Sequence, residues 1–452
     1  YLITMKKSSM MSLNLVAQFF LALFLVLNAG CSSDDDGSGT DDPSTNRTVL
    51  KQDKDFKVNA VDLGKYARIV MAQEKVDLEF KFAASAINKV EVKPASLGIQ
   101  CEVKGNKVTL LDVKPCKAAI TINEDYENPI YLFVDGKAPK EWNNLPANTI
   151  RYTKGTHTVN PTFDQDDVTI FLEEGAVITG FIYANGKQNI RILGYGVIDG
   201  RLAQKAIRVE KCKNVEINGP LIMSRTGWCS SFFECDGVKI DNMKILGSDV
   251  YSDGIDLVGS SNVEVNDVFI RNEDDCIAIK TNKFGFSGNV ENITVKNSVL
   301  WGGNLGNCME IGWELDGAYL RHIRFENMDV IRKESSDHKW YRGIMSIHQC
   351  GNSTISDVLY KDIRMESAFE HLIWMELRPA YGEWGSGGGS IDGVRFENLE
   401  YTNGEDVPIL IQKNSTGSIK NVVFSGLKYK GRTISDTSDP IFDLREADVR
   451  FE

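Results

Sequence analysis

Four short strings decide the fold: Asn189-Ile-Arg-Ile192, Asn214-Val-Glu-Ile217, Asn262-Val-Glu-Val265 and Asn292-Ile-Thr-Val295. In each, a turn-tolerant Asn precedes apolar residues two apart, the spacing of a strand that sends one face inward. The unit extends along anchors at Ile190, Val215, Val238, Val263, Ile293, Ile323, Val358, Val394 and Val422, 23 to 36 residues apart. A strand core kept at a varying period reads as stacked coils that accept insertions at their turns. Helical periodicity is missing, so the stack reads as an all-β parallel β-helix. About ten coils at the ordinary strand spacing of about 4.8 Å make a rod near 50 Å long. A propeller would repeat at about 40 residues with Trp-Asp or Gly-His signals, and the sequence carries neither.

Working outward, the stack is expected over residues 146–452. Asn143-Asn-Leu-Pro-Ala-Asn-Thr149 punctuates the chain before it. Between 50 and 145, runs such as Val76-Asp-Leu-Glu-Phe-Lys-Phe82 and Val108-Thr-Leu-Leu111 alternate as half-exposed strands, the pattern of a small β-sandwich. Residues 1–30 have the order of a secretory signal: Lys6-Lys7, an apolar run from Leu13 to Leu27, then Asn28-Ala29-Gly30 before Cys31. Tyr1 to Thr4 read as sequence upstream of that signal. The small pair before a cysteine resembles a lipobox, with Asn28 where Leu is usual, so Cys31 is the expected lipidation site. Residues 31–49, rich in Ser, Asp and Gly, read as a flexible tether. Its acidic triplet resembles an export signal of outer-membrane lipoproteins. The protein is thus expected outside the cytoplasm, on the cell surface or in the periplasm, touching membrane through the lipid alone. The other cysteines, at 101, 116, 212, 229, 235, 276, 308 and 350, are spread without a framework and read mostly as buried small apolar residues.

Composition narrows the chemistry. The 452 residues are 42% hydrophobic and carry a net charge of −12, which argues against a nucleic-acid partner, since phosphate binding needs clustered Lys and Arg. Five His and no CxxC or HExxH give no protein-built metal site, so no metal or cofactor is expected and the chemistry falls to carboxylates. A long rod offers a groove for a polymer, and nothing indicates oligomerisation, so a monomer is expected.

Two adjacent repeats carry the candidates: Ser252-Asp253-Gly-Ile-Asp256-Leu257 and Glu273-Asp274-Asp275-Cys-Ile-Ala-Ile279-Lys280. With Ile255 and Leu257 stacked on Ile277 and Ile279, Asp253 lies one coil from Asp275. Either motif alone is ordinary turn chemistry. Together they crowd three carboxylates, Asp253, Asp274 and Asp275, at one edge, where mutual repulsion and burial raise at least one pKa, as acid–base work requires.

The pair of motifs resembles the Asn-Thr-Asp-Gly-Ile-Asp and Gly-Asp-Asp-Cys-x-Ala-Ile of the polygalacturonases, glycoside hydrolase family 28, over about residues 150–430. That resemblance implies a right-handed β-helix and inverting hydrolysis of a poly- or oligosaccharide. Asp274 would be the general acid, and Asp253 and Asp275 would hold and activate water, with carboxyls expected about 6.5–9.5 Å apart. Two departures stand out. Asn307 replaces the family's supporting His, and Ser346-Ile-His348 replaces the Arg-Ile-Lys that grips a uronate, which favours a neutral or differently substituted sugar. The stretch Asn307-Cys-Met-Glu310-Ile-Gly-Trp313-Glu is also similar to dextranases of family 49, whose β-helix follows a β-sandwich. Strand alternation puts Glu310 in one outward column with Asp256, Ala278 and Ser346, and Lys280 and His348 in the next. Asn307, Glu310, Lys280, His348 and Trp313 are therefore the expected substrate-binding residues. Trp301, Trp313, Trp340, Trp374, Trp384 and Tyr381 are candidate sugar platforms, and the Gly-rich run Pro379–Gly389 a rim of the cleft. A β-helix polysaccharide lyase and a non-catalytic carbohydrate-binding rod are the competing readings.

Overall fold

A computed structural model describes residues 47–84, 86–317, 319–335 and 342–452. The expected signal, Cys31 and most of the tether lie outside the described residues, as does Trp340. The anchors of the repeat fall into one unbroken parallel register, Ile190 on Val215, Val238, Val263, Ile293, Ile323, Val358, Val394 and Val422. All nine are buried inside the coil. The residue before each anchor has positive φ, 53° to 57° at Asn189, Asn214, Asn262 and Asn292, with Gly237 and Gly393 in the same column. This explains the Asn: its short amide tolerates the left-handed backbone and bonds to the coil below. Asn214 Nδ2 donates to Asn189 Oδ1 at 3.0 Å and Asn292 Nδ2 to Asn262 Oδ1 at 2.9 Å.

The coils form two continuous sheets, one of 20 strands and one of 11. In the first, early coils contribute two short strands each. Later coils contribute single bent strands such as Tyr319–Lys333 and Thr354–Met365. The 11-stranded sheet carries the acidic motifs on its outer face. Its strands Ile255–Val258, Ile277–Lys280, Met309–Trp313, Met345–Gln349 and Ile373–Leu377 lie in consecutive coils. Among the described residues no helix is long and apolar enough to cross a membrane.

Ahead of the stack, a four-stranded and a five-stranded sheet share one core, with Leu78, Phe80 and Leu110 from one facing Ile69, Ile120 and Leu132 from the other. The first described strand, Val49–Lys51, pairs with Val76–Lys81, and its Val49 is the last residue of the expected tether. The outer face of the five-stranded sheet does not meet solvent. Ala119, Tyr131 and Phe133 pack on Leu221, Phe269 and Trp301 of the coils. Trp301, expected as a sugar platform, is instead wholly buried here, edge-on to Tyr126 and Tyr131.

A buried ion cluster ties the two parts together. Asp135 from the sandwich accepts from Lys244 of the stack, from Asn242 at 3.0 Å and from Arg68 at 2.8 Å. Arg68 also donates to the carbonyls of Gly196 and Gly219. Burial resists a charge on Asp135, but Arg68 and Lys244 outweigh it and hold the carboxyl well below its ordinary range. Asp135→Ala would take the carboxylate from Lys244, whose charge burial already opposes, and from Arg68, an expected loss of about 3–5 kcal/mol. Asp135→Ala/Lys244→Met should recover most of that loss, measured as unfolding free energy in a denaturant titration.

Candidate active site

The register sets the site. Asp253 ends the turn before the strand Ile255–Val258 and Asp275 the turn before Ile277–Lys280, so one strand spacing brings them together. One carboxylate oxygen from each of Asp253, Asp274 and Asp275 lies within 4.8 Å of the others. This is tighter than the 6.5–9.5 Å expected between an acid and a base that share water. Asp253 and Asp275 are recessed, 3% and 6% exposed, while Asp274 is half-buried at the rim. Asn272, fully buried, builds the turn: its amide donates to the carbonyls of Ser252, Asp274 and Asp275 at 2.8, 3.0 and 2.8 Å. Gly306 is needed for close approach, because a Cβ there would meet Asp275 N at 2.1 Å.

Burial raises all three carboxyls. Asp253 is pushed well up by burial and then by Asp256 and Asp274; Asp275 by burial and then by Glu310 and Asp274; Asp274 is raised by burial against the pull of Lys280. A fourth carboxyl joins them. Asp256, wholly buried, is raised to about 7 by burial, which Lys280 only partly offsets. Lys280 is the hub: its Nζ lies 3.4 Å from Asp253, 3.2 Å from Asp256 and 3.6 Å from Glu314. Burial opposes its charge, but Glu314, Asp256, Asp253 and Asp275 outweigh that and hold the ammonium well above its ordinary range. Lys280 thus binds carboxylates of the protein itself, where sugar was expected.

Asn307 is likewise turned inward. Its backbone N–H and Nδ2 donate to Asp275 Oδ1 at 2.7 and 3.1 Å, and its Oδ1 accepts from Gly343 and Ser346. Glu310 and His348, in adjacent outward columns, are both fully buried. His348 Nδ1 and the Glu310 carboxyl share a proton at 2.9 and 3.0 Å. Burial pushes Glu310 well up and His348 down to about 3, so the contact joins neutral groups and is no ion pair. Gly312 makes it possible, since a Cβ there would lie 2.4 Å from Glu310 Oε1. Trp313, partly exposed, stacks on His348 at 4.9 Å and 21°, with Trp384 and Tyr381 of the Gly-rich rim against it. Trp374 is buried, its Nε1 donating to Glu376.

Several neighbours escaped the sequence reading. Trp228 lies 4.2 Å from Lys280 Nζ, although it stands two coils away. Two guanidiniums border the site from positions other than the missing Arg-Ile-Lys. Arg378 sits 4.6 Å over Trp313 and pairs with Glu376 at 2.7 Å, and Arg342 acts electrostatically on Asp274 and Asp275. Both are already engaged, Arg378 with Glu376 and Arg342 with the Asn304 carbonyl. The three oxygens could also grip a hard cation, with Lys280 already supplying counter-charge. A cavity of about 690 Å³ lies elsewhere, over an alternating ladder of Arg191, Glu216, Lys239 and Glu264 whose charges offset one another.

A parallel β-helix with a carboxylate cluster on one sheet face has the groups that acid–base cleavage of a carbohydrate needs. The model of "Glycosyl hydrolases family 28" matches residues 93–431, and the chain belongs to that family. It is a glycoside hydrolase of the polygalacturonase type. A probable endopolygalacturonase D of Aspergillus niger is 22% identical over 389 residues, 77% of this chain and 71% of its own. A polygalacturonase of Chamaecyparis obtusa is 25% identical over 41% of this chain and 35% of its own. A family 28 exopolygalacturonase of Yersinia enterocolitica superposes with a TM-score of 0.47 at 12% identity, over 88% of this chain and 98% of its own.

The raised Asp256 has a stability consequence. A carboxyl whose folded pKa is near 7 holds its proton where the unfolded chain, near 4, has lost it. Its contribution is complete below about pH 4 and is lost as pH rises through 7. Asp256→Asn should therefore flatten the fall in unfolding temperature between pH 5 and pH 8, read by calorimetry at both values.

Proposed function

We propose that the protein hydrolyses α-linked galacturonate chains with inversion at the anomeric carbon. The observation that carries the reading is the convergence of Asp253, Asp274 and Asp275 within 4.8 Å beside a buried lysine. Asp274 is the partly exposed member, on the side a sugar can reach, and donates its proton to the leaving oxygen. Asp253 and Asp275 lie behind it. Two recessed carboxyls that share one proton still present one ionised oxygen, enough to orient and deprotonate a water. Arg342 offers positive charge to a uronate ring near the cluster. The names borne by the family relatives support galacturonan as substrate. Export and a lipid anchor at Cys31 fit an enzyme whose substrate is outside the cell.

Lysis is the weaker alternative. The lysine beside the carboxylates is held protonated by four of them, so it is a poor base for proton abstraction.

Asp274→Asn is expected to lower kcat on polygalacturonate by about 10²–10⁴-fold, the usual worth of a positioned acid, with the circular dichroism spectrum unchanged. Proton NMR of the first product should show the β anomer. The α anomer would make Asp253 or Asp275 a nucleophile and end the inversion assignment, while an unaltered rate in Asp274→Asn would remove it as the acid.

A further inference from the structure

The outer face of the 11-stranded sheet should be an open floor, because alternation points Ser231, Asp256, Ala278, Glu310, Ser346 and Trp374 outward in one column. None of the six is more than 9% exposed. Something covers the floor along its length, and two groups of aromatic rings do so.

Upstream of the carboxylates, Trp228 and Phe233 stand at opposite ends of one strand crossing, yet their rings lie 6.0 Å apart and within 13° of parallel. The chain bends at Cys229 before the strand Ser230–Phe233, and the two rings come together on one side of it. Phe284 closes on both, at 5.2 Å from Trp228 and 6.3 Å from Phe233, and Phe286 on Phe233 at 4.7 Å. These two come from a small hairpin, Asn282–Lys283 with Phe286–Ser287, that folds back along the rod and bonds to Glu234 through Ser287 N–H at 2.9 Å. Downstream, Trp313 roofs His348 and is itself covered by Trp384, Tyr381 and Arg378. Lys283 joins the two groups, its Nζ 5.4 Å from the Phe284 ring and 6.0 Å from that of Trp384. The opening left at the cluster is beside Asp274, where Tyr251 is 65% exposed.

We infer that the enzyme attacks galacturonate chains from an end, taking the terminal residues edge-on into a slot walled by Trp228, Phe284, Trp313 and Trp384. A polymer laid along the rod and cut in its middle would have to occupy the floor on both sides of the cluster, where these rings already sit. The inference rests on the proposed function and adds the mode of attack.

The test uses polygalacturonate and a galacturonate hexamer labelled at its reducing end. Wild-type enzyme should release only terminal mono- or disaccharide from the first turnovers, with solution viscosity falling slowly as reducing ends accumulate. Trp228→Ala/Phe284→Ala should open the upstream side, so that internal fragments appear and viscosity falls sooner per bond cut. Should that pair not fold, Phe284→Ala alone serves, since Phe284 is 62% exposed. In the Asp274→Asn background, calorimetry should show trimer and hexamer binding alike, and the opened variant should bind hexamer about tenfold more tightly than trimer, about 1.4 kcal/mol. Early internal fragments from the wild type, or product patterns unmoved by opening the wall, overturn the inference and leave the proposed function standing. Failure to cut any galacturonate bond overturns the proposed function instead.

Discussion

Parallel stacking in register at one strand spacing is the constraint on which everything else here depends. It lets no coil choose freely, because whatever a position carries is set against the same position of the coils above and below. Inside, this produces the column from Ile190 to Val422, apolar on apolar. At the bends it produces the Asn column, where each amide bonds to its neighbour and satisfies polar groups that a tight turn would otherwise strand. On the outer face the same rule sets Asp253 beside Asp275 and Asp256 beside Ala278 and Lys280. That is a costly placement, since like charges are brought together out of water.

The cost is met locally. Lys280 stands among the carboxylates, and Lys283 pairs with Glu314 at 2.8 Å, which together keep Glu314 ionised against its burial. Glu310 takes the other course, keeping its proton and sharing it with His348. Within two coils the region thus balances buried charge in two ways, by pairing with an ammonium and by burial that favours the protonated form. Stability alone would favour filling this face with apolar side chains, as the stack does where the sandwich covers it.

How much of this the sequence displays follows from how local each feature is. The coils, the Asn turns and the column of Asp256, Ala278, Glu310 and Ser346 are repeated patterns, so alternation places them correctly. The tendency of the three Asp to meet also follows from register. Contacts that cross several coils carry no such signal. Nothing in Asn282–Ser287 announces that its Phe residues turn back to Phe233, about fifty positions earlier, and nothing marks Trp228 as the cap of Lys280. For the same reason alternation names Glu310 and His348 as outward residues but not as covered ones. Arg378 escapes because a motif alignment looks for a guanidinium at the family's own position, whereas charge can enter a site from the next coil.

The sandwich also bears on the chemistry. Leu221, Leu246 and Phe269 are buried only because the five-stranded sheet lies on them, so a bare stack would expose an apolar stripe. Two of its contacts lead toward Asp274. Asp62 accepts from Ser248 Oγ at 2.9 Å and pairs with Arg201 at 3.5 Å, bracing the strand that runs into the turn of Tyr251, whose N–H donates to Asp274 Oδ2 at 3.2 Å. Tyr131 packs edge-on to Trp301, over which Arg271 sits while holding Glu273, the residue before Asp274. The turn that presents Asp274 is thus held from both ends through groups that the sandwich contacts. A positional shift of about 1 Å at a reacting group can cost on the order of 100-fold in rate. That sensitivity gives a physical reason for the sandwich and the stack to be locked by buried ions rather than joined by a loose linker.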